Sequence, residues 1–470
     1  MINWVVSIQR LLLSKGDLVR SFGFIVVALS ILTLPLVGQD TGLLDTQTTS
    51  WPQWRGPLAT GASPTANPPM EWSETQNIRW KVELSGHGSA SPIVWDDRVF
   101  ILSAIPAGAG SAGGPGLFGR LRDRLMGAVG VPMLSSSEVQ QFTVSAYDRR
   151  DGSVVWERVA VSEQPHEGRH ATGSWASASA VTDGEVLCAF FGSRGLYCYD
   201  LEGTLLWDQD FGDMDIRMGF GEGASPALHG DSIVVVWDHQ GQSFITSLDK
   251  WTGQERWRTP REEITSWSTP LVVDYQGRTQ VITSATDRVR SYDVENGDLI
   301  WEGAGVTLNA IPTPVTADGI VYLMSGYRGN QLYAVDLSKA RGDITGTDAI
   351  VWSHDRDTPY VPSPVLHDGI LYFTKSNSGV LSAHDAKSGR KLYGPERLPG
   401  IRDIYASPVV AGNYLYVTSR DGVTLVLETG SQLRVVATNA LDDQIDASAA
   451  VVEGEIYLRG QQYLYCIADS

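Results

Sequence analysis

The chain has 470 residues, a formal net charge of −18, 49 glycines, 15 tryptophans and 3 cysteines. Its length would hold two or three ordinary domains, and the negative balance argues against generic binding to nucleic acid or to an anionic membrane, both of which select net-basic surfaces. Abundant glycine and tryptophan call instead for many tight turns, each with an aromatic close by.

The first element is a targeting segment. Arg10, Lys15 and Arg20 precede an apolar run over 22–37, and Gly38, Gln39 and Asp40 then turn the chain polar. The run is long for a signal-peptide core and short for a spanning helix. Residues 1–38 are therefore expected to be a signal peptide, with a retained membrane anchor as the alternative. No cysteine stands near the break, so a lipoprotein anchor is not expected. The folded part is expected to be periplasmic or otherwise exported, with 39–77 as an N-terminal extension.

Next, Ile78-Arg79-Trp80-Lys81-Val82 reads as an isolated Trp-bearing strand, and from Ser91 one grammar repeats. The copies open at Ser91-Pro92, Ser179-Ala180, Ser225-Pro226, Thr269-Pro270, Thr313-Pro314, Ser363-Pro364, Ser407-Pro408 and Ser448-Ala449. Each passes an Asp-Gly-type turn, enters an aromatic-rich apolar strand, and reaches a small residue followed by an Asp, a Gly and a Trp. A period of roughly 40–50 residues with several short strands per unit specifies a β-propeller, one blade per repeat. The copy at Ser363 supplies four runs, 364–366, 370–374, 380–384 and 390–393, separated by Gly, Asn and Asp turn signals. The last copy ends at 463–467 without an outer strand, so 78–82 is predicted to complete it. The expected fold is all-β, an eight-bladed β-propeller of four-stranded antiparallel blades over 78–470, the ring closed by an N-terminal strand. Closure removes exposed edges.

Repetition also argues for structural roles, because equivalent positions in many blades cannot all be catalytic. Asp148, Asp200, Asp249, Asp293, Asp336 and Asp385 are read as turn acids accepting backbone N–H bonds. Trp156, Trp207, Trp257, Trp301 and Trp352 are read as packing between blades. Cys198 and Cys466 take the small-residue position held elsewhere by Ala146, Ser247, Ser291, Ala334, Ala383 and Val426. Three buried thiols are expected; a cross-strand disulfide between Cys188 and Cys198 is the alternative.

The first blade carries an insertion, 103–141. Within it, 117–129 places Leu117, Leu121, Leu125 and Val129 on one helical face with Arg120, Arg122 and Arg124 elsewhere. That is a short basic amphipathic helix, either a surface excursion or an element contacting a partner or the membrane. Downstream, His166-Glu167-Gly168-Arg169-His170 has the spacing of a zinc-hydrolase signature. Pro165, Gly168 and Gly173 deny it the helix that chemistry needs, so it is read as a connecting loop offering His166, His170 and Arg169 to a ligand. No catalytic residue and no metal site are assigned.

In a propeller meander the second-to-third-strand turns share one face with the between-blade connections. That face collects Arg194, Arg288, Arg328 and Arg420 at turn tips, and Trp175, Trp267, Asn309, Tyr360 and Tyr405 in connections. These nine are the candidate binding residues, with aromatic anchors and cations suited to an envelope protein or an anionic small molecule or polymer. Asp238, Asp287 and Asp421 beside them would quench part of the charge. The opposite face should be acidic. A monomer is expected.

The repeats, the completed eighth blade and Trp51-Pro52-Gln53-Trp54-Arg55-Gly56-Pro57 resemble the PQQ-like (quinoprotein-type) β-propeller repeat superfamily, over roughly 51–469. That group contains pyrroloquinoline-quinone (PQQ) alcohol dehydrogenases and outer-membrane assembly lipoproteins of the BamB type, so the resemblance is specific to fold and not to activity. It implies a BamB-like envelope scaffold or, alternatively, a PQQ-dependent oxidoreductase. The dehydrogenases set a vicinal Cys-Cys disulfide and a Trp platform against the quinone, with carboxylate and amide ligands to calcium. This chain has no adjacent cysteines and offers no residue-by-residue match to that metal site. The expectation is a non-catalytic exported propeller without a cofactor; PQQ and calcium belong only to the alternative.

Overall fold

Short apolar runs broken by turn signals satisfy their backbone groups only by pairing with the next run. In a computed structural model, which describes residues 49–108, 133–134 and 138–469, this produces eight antiparallel meanders. They occupy 93–163, 181–209, 227–261, 271–304, 315–354, 365–397, 409–440, and 450–468 joined by 78–83. These are blades 1 to 8. Ile78–Glu83 pairs antiparallel with Tyr463–Ala468, closing the ring as expected. Two blades gain a fifth strand: Gly342–Asp343 beside the outer edge of blade 4 and Ala62–Ser63 beside the inner strand of blade 7. The segments read as signal peptide or anchor (1–38) and as basic helix (117–129) lie outside the described residues. Among the described residues no helix is long and apolar enough to cross a membrane.

The repeated small residue has a structural reason. It stands directly across the third-to-outer-strand ladder from the indole: Ala146 faces Trp156, Cys198 faces Trp207, Ser247 faces Trp257 and Cys466 faces Trp80. Each indole then reaches the following blade. Trp80, Trp156, Trp207 and Trp257 donate Nε1–H to the carbonyls of Arg149, Leu201, Lys250 and Val294, at 2.9, 2.9, 2.8 and 2.7 Å. The Gly of the next turn lies under the ring. Gly253 has φ +70°, and a Cβ there would sit 2.5 Å from Trp207, so both its conformation and the contact require glycine. Trp301 departs from the pattern. The longer connection of blade 5 covers it with Leu337, Ala340 and Ile344, and its Nε1–H turns back to Gln280 within its own blade.

The Ser/Thr openings form a hydroxyl belt around the axis. The N–H groups of Ser91, Ser179, Ser225, Thr313, Ser363 and Ser407 each donate to the opening hydroxyl of the next blade, at 2.8–3.0 Å. The turn acids accept backbone N–H bonds as expected, for example Asp249 from Trp251 and Thr252 and Asp385 from Ser388.

Three expectations change. Cys188 and Cys198 fall opposite each other in register and are disulfide-bonded, leaving buried Cys466 as the free cysteine among the described residues; the three-thiol reading failed because a one-residue uncertainty in register decides the pairing. The insertion is narrower than 103–141, because Arg98–Pro106 and Gln140–Asp148 stay paired through Pro106 and Gln140. The outer strand of blade 6 is Lys391–Arg397, longer than 390–393.

Part of the 39–77 extension is internal. Trp51 exchanges backbone bonds with Val94 of blade 1, and Thr182 of blade 2 donates to Pro52. Farther along, Leu366 of blade 6 donates to Thr60 and Val410 of blade 7 to Gly61. The segment 51–63 therefore crosses the channel. Trp51 is fully buried and Arg55 is 2% exposed.

Candidate functional site

The mouth of the ring is built by the between-blade connections, and its walls are fixed before any ligand is considered. The His-Glu-x-x-His stretch is one of the fixing elements. His166 Nε2 lies 2.8 Å from the Met214 carbonyl, its Nδ1 accepts from Arg194, and the Glu167 carboxylate accepts the Ile216 N–H at 3.1 Å. Burial pushes the Glu167 carboxyl upward. These bonds tie the connection after blade 1 to the connection after blade 2. Arg169–His170 also pairs with Met133–Leu134, the described piece of the insertion. Of the residues read as offered to a ligand, His170 lines the mouth. Arg169 lies over the Trp175 ring at 4.7 Å, and His166 is held in the wall.

Inside lies a cavity of about 400 Å³ with aromatic walls, among them Trp54, Phe220, Trp267, Tyr327, Tyr360 and Tyr405. Tyr327 and Tyr360 stack at 4.7 Å with 21° between planes. Its carboxylates are engaged. Asp446 takes Arg420 Nε at 2.6 Å and Gln444 Nε2 at 2.7 Å. Glu222 accepts from the Ser193 N–H at 2.7 Å and from its hydroxyl, and burial pushes its carboxyl upward. Burial also pulls the His170 imidazole below its ordinary value. A neighbouring cavity of about 450 Å³ shares Asp446 and Ser174 and reaches Arg420 and Arg459.

The nine residues singled out by the repeat divide unequally. Trp267, Tyr360 and Tyr405 meet at the mouth cavity, and Trp267 is pinned there by its Nε1–H to the Gly221 carbonyl at 2.6 Å. Asn309 supports the wall from behind, fully buried, its Nδ2 3.3 Å from Tyr360 Oη. Trp175 turns inward against the packing of blades 1 and 2. The cation crown needs correction. Arg194 is buried between Glu163 (2.6 Å) and Asp213, Arg288 is held by Glu302 and Asp343 (both 2.8 Å), and Arg420 is held by Asp446. Only Arg328 of the four is exposed without an ion pair among the described residues, standing 5.4 Å over Tyr327. The quenching partners are also not the expected ones: Asp238 pairs with Arg261, and Asp421 accepts from Ser419. The true partners come from other strands or other connections, which local sequence does not announce.

Tyr327, Phe220 and Trp54 were missed as wall residues. Tyr327 neighbours Arg328 on the same turn, and Trp54 belongs to the 51–57 segment, so both signals were available once that segment was placed inside the channel.

A family model described as outer membrane protein assembly factor BamB matches residues 140–391 and 241–469. A curated relative, the outer membrane protein assembly factor BamB of Moranella endobia (strain PCIT), is 25% identical over 261 residues, which are 50% of this chain and 62% of the relative. Less than two thirds of that relative's length is thus matched. Among solved structures, BamB from Moraxella catarrhalis superposes with a TM-score of 0.53 at 17% identity, covering 71% of this chain and 95% of the other. A europium-containing methanol dehydrogenase gives 0.57 at 10% identity, covering 89% and 91%. The quinohemoprotein alcohol dehydrogenase from Comamonas testosteroni gives 0.62 at 10% identity, covering 92% and 83%. These structural likenesses speak for the fold alone.

The donor set at the mouth does not fit a quinone–metal pair of the kind the dehydrogenases hold. Asp446 and Glu222 are committed to protein donors, and among the described residues no three of His, Cys, Asp and Glu converge to hold a metal ion. The disulfide is fully buried within blade 2.

Proposed function

This chain belongs to the family described as outer membrane protein assembly factor BamB, and from that premise we propose that it is an exported, non-catalytic scaffold of the cell envelope that docks a protein partner at its mouth. The observation that carries the reading is the aromatic cavity whose carboxylates are already engaged. Rigid rings with Tyr327 and Tyr360 stacked offer apolar area at low entropic cost, the usual composition of an interface anchor. The carboxylates at the mouth are already held by protein donors, so this reading calls for neither quinone nor calcium. With Arg194, Arg288 and Arg420 quenched, recognition rests on apolar fit more than on attraction of an anion, and Arg328 adds one cation at the rim.

A photo-crosslinking residue placed at Tyr327 or Tyr405 in the exported protein should yield adducts with an envelope protein, whereas one at Asp274 on the opposite face should not. Tyr360→Ala should cut the yield about tenfold or more, the loss typical of a central aromatic anchor. Adducts from Asp274 alone would overturn the reading.

A further inference from the structure

The wall of the mouth cavity leaves hydrogen-bond donors free while its side-chain acceptors are largely taken. The hydroxyls of Tyr327 and Tyr405 and the Asn377 Nδ2 have no partner among the described residues, and all three residues stand half-buried in that wall. The Asn377 amide is oriented by its Oδ1, which accepts the Val361 N–H at 2.9 Å. Tyr360 Oη accepts from Asn309 Nδ2 at 3.3 Å and keeps its own proton to donate. Burial pushes the Tyr360 phenol upward, and the phenols of Tyr327 and Tyr405 add to that shift, so the three hydroxyls share one neighbourhood. On the acceptor side, Asp446 takes Arg420 and Gln444, and Glu222 takes Ser193. The hydroxyls of Ser225 and Ser448 accept the N–H groups of Ser179 and Ser407.

An occupant suited to this wall brings flat apolar surface and carbonyl acceptors, and few donors of its own, because a donor buried without an acceptor is penalised. An ordinary peptide brings an N–H at every residue, and a saccharide brings a donor at every hydroxyl. Proline brings a carbonyl and an apolar ring and has no N–H. A proline-rich segment is already extended as a polyproline II helix, so it loses little entropy on entering an aromatic-lined groove. The wall is equally preformed. Trp267 is pinned through Gly221, and Tyr360 through Asn309 and its stack with Tyr327. Asp446 and Arg420 neutralise each other beside the rings, which suits an uncharged chain.

We propose that the mouth receives a proline-rich segment of its protein partner in the polyproline II conformation. Its pyrrolidine rings pack against Trp267 and Tyr360, and its carbonyls accept from the tyrosine hydroxyls and Asn377 Nδ2. The inference rests on the partner-docking reading and names the chemistry of the segment docked.

Isothermal titration of the full chain with capped decaproline, with a glycine–serine peptide of the same length and with maltohexaose tests it. Decaproline should bind saturably, and the other two should not. Tyr360→Ala should weaken decaproline binding about tenfold or more, the loss of a central aromatic anchor. Tyr405→Phe, which keeps the ring, should weaken it about fivefold, the worth of one hydrogen bond. Decaproline binding no tighter than the glycine–serine peptide, or unchanged in both variants, would overturn the proposal. So would binding of maltohexaose alone, which would assign the mouth to a glycan. Crosslinks from Tyr327 that persist while decaproline fails would keep partner docking and remove only the proline chemistry; loss of both would remove the docking reading as well.

Discussion

Asp385 and Asp446 are both carboxylates at turns, and they do different work. Asp385 accepts the Ser388 N–H at 2.8 Å and the Ser388 hydroxyl, inside its own turn. Related local bonds recur at Asp148, Asp200, Asp249, Asp293 and Asp336. Asp446 instead holds Arg420, which arrives from a hairpin tip of the preceding blade, as Asp213 holds Arg194 of blade 2, a contact between a tip and a connection rather than within one turn. The turn face is therefore a set of interchangeable local solutions that stabilise each blade separately. The mouth is assembled once, from contacts between blades, and carries what is individual about the chain. The same division separates Arg261, paired with Asp238 in the interior, from Arg55 at the axis.

Removing the non-local part altogether should have the largest effect. A chain beginning at residue 84 lacks the closing strand Ile78–Glu83 and the axial segment, and it loses the seam bonds of Arg79 and Trp80 to Glu455 and Arg149. It should aggregate through the exposed edge of Tyr463–Ala468, while a chain beginning near Trp51 stays soluble and melts cooperatively. Size-exclusion chromatography and thermal scans of the two would decide; equal behaviour would mean that closure contributes little.

A smaller effect sharpens the interior pair. Asp238→Ala strands Arg261 without its counter-charge and should cost about 3–5 kcal/mol. Exchanging both partners for apolar residues of similar volume should recover most of it. Urea unfolding midpoints measure both, and a double variant as unstable as the single one would show that the hydrogen bonds to Thr283 and Tyr292, not the missing charge, dominate.

The smallest effect belongs to the repeated turns. Asp385→Ala should cost about 1 kcal/mol at neutral pH, the net value of a side-chain hydrogen bond. Its carboxyl is held below the ordinary value by the Ser388 hydroxyl and N–H. The contribution is thus complete above the unfolded value of about 4 and fades as pH falls through the lower folded value. Asp148, pulled to about 2 by Arg150, follows the same sign. Melting wild type and Asp385→Ala from pH 7 to pH 2 should bring the two curves together at the acid end; a constant gap would place the effect in packing instead.

The sequence alone determined the ring, the blade boundaries, the closing strand and the structural meaning of the turn acids and indoles, because each follows from a local period repeated eight times. It also placed Trp267, Tyr360 and Tyr405 at one mouth, since between-blade connections must emerge on a single face. Only the tertiary structure decided which charges survive there. Arg194, Arg288 and Arg420 meet carboxylates brought by other strands or connections, and no period encodes such meetings. It likewise decided the Cys188–Cys198 bond, where one residue of register separates a disulfide from two thiols, and the passage of 51–63 through the channel. That passage buries Arg55 and makes Trp54 a wall residue: a segment outside the repeat has no periodic signal, and its position is set by the space that the closed ring leaves at its axis.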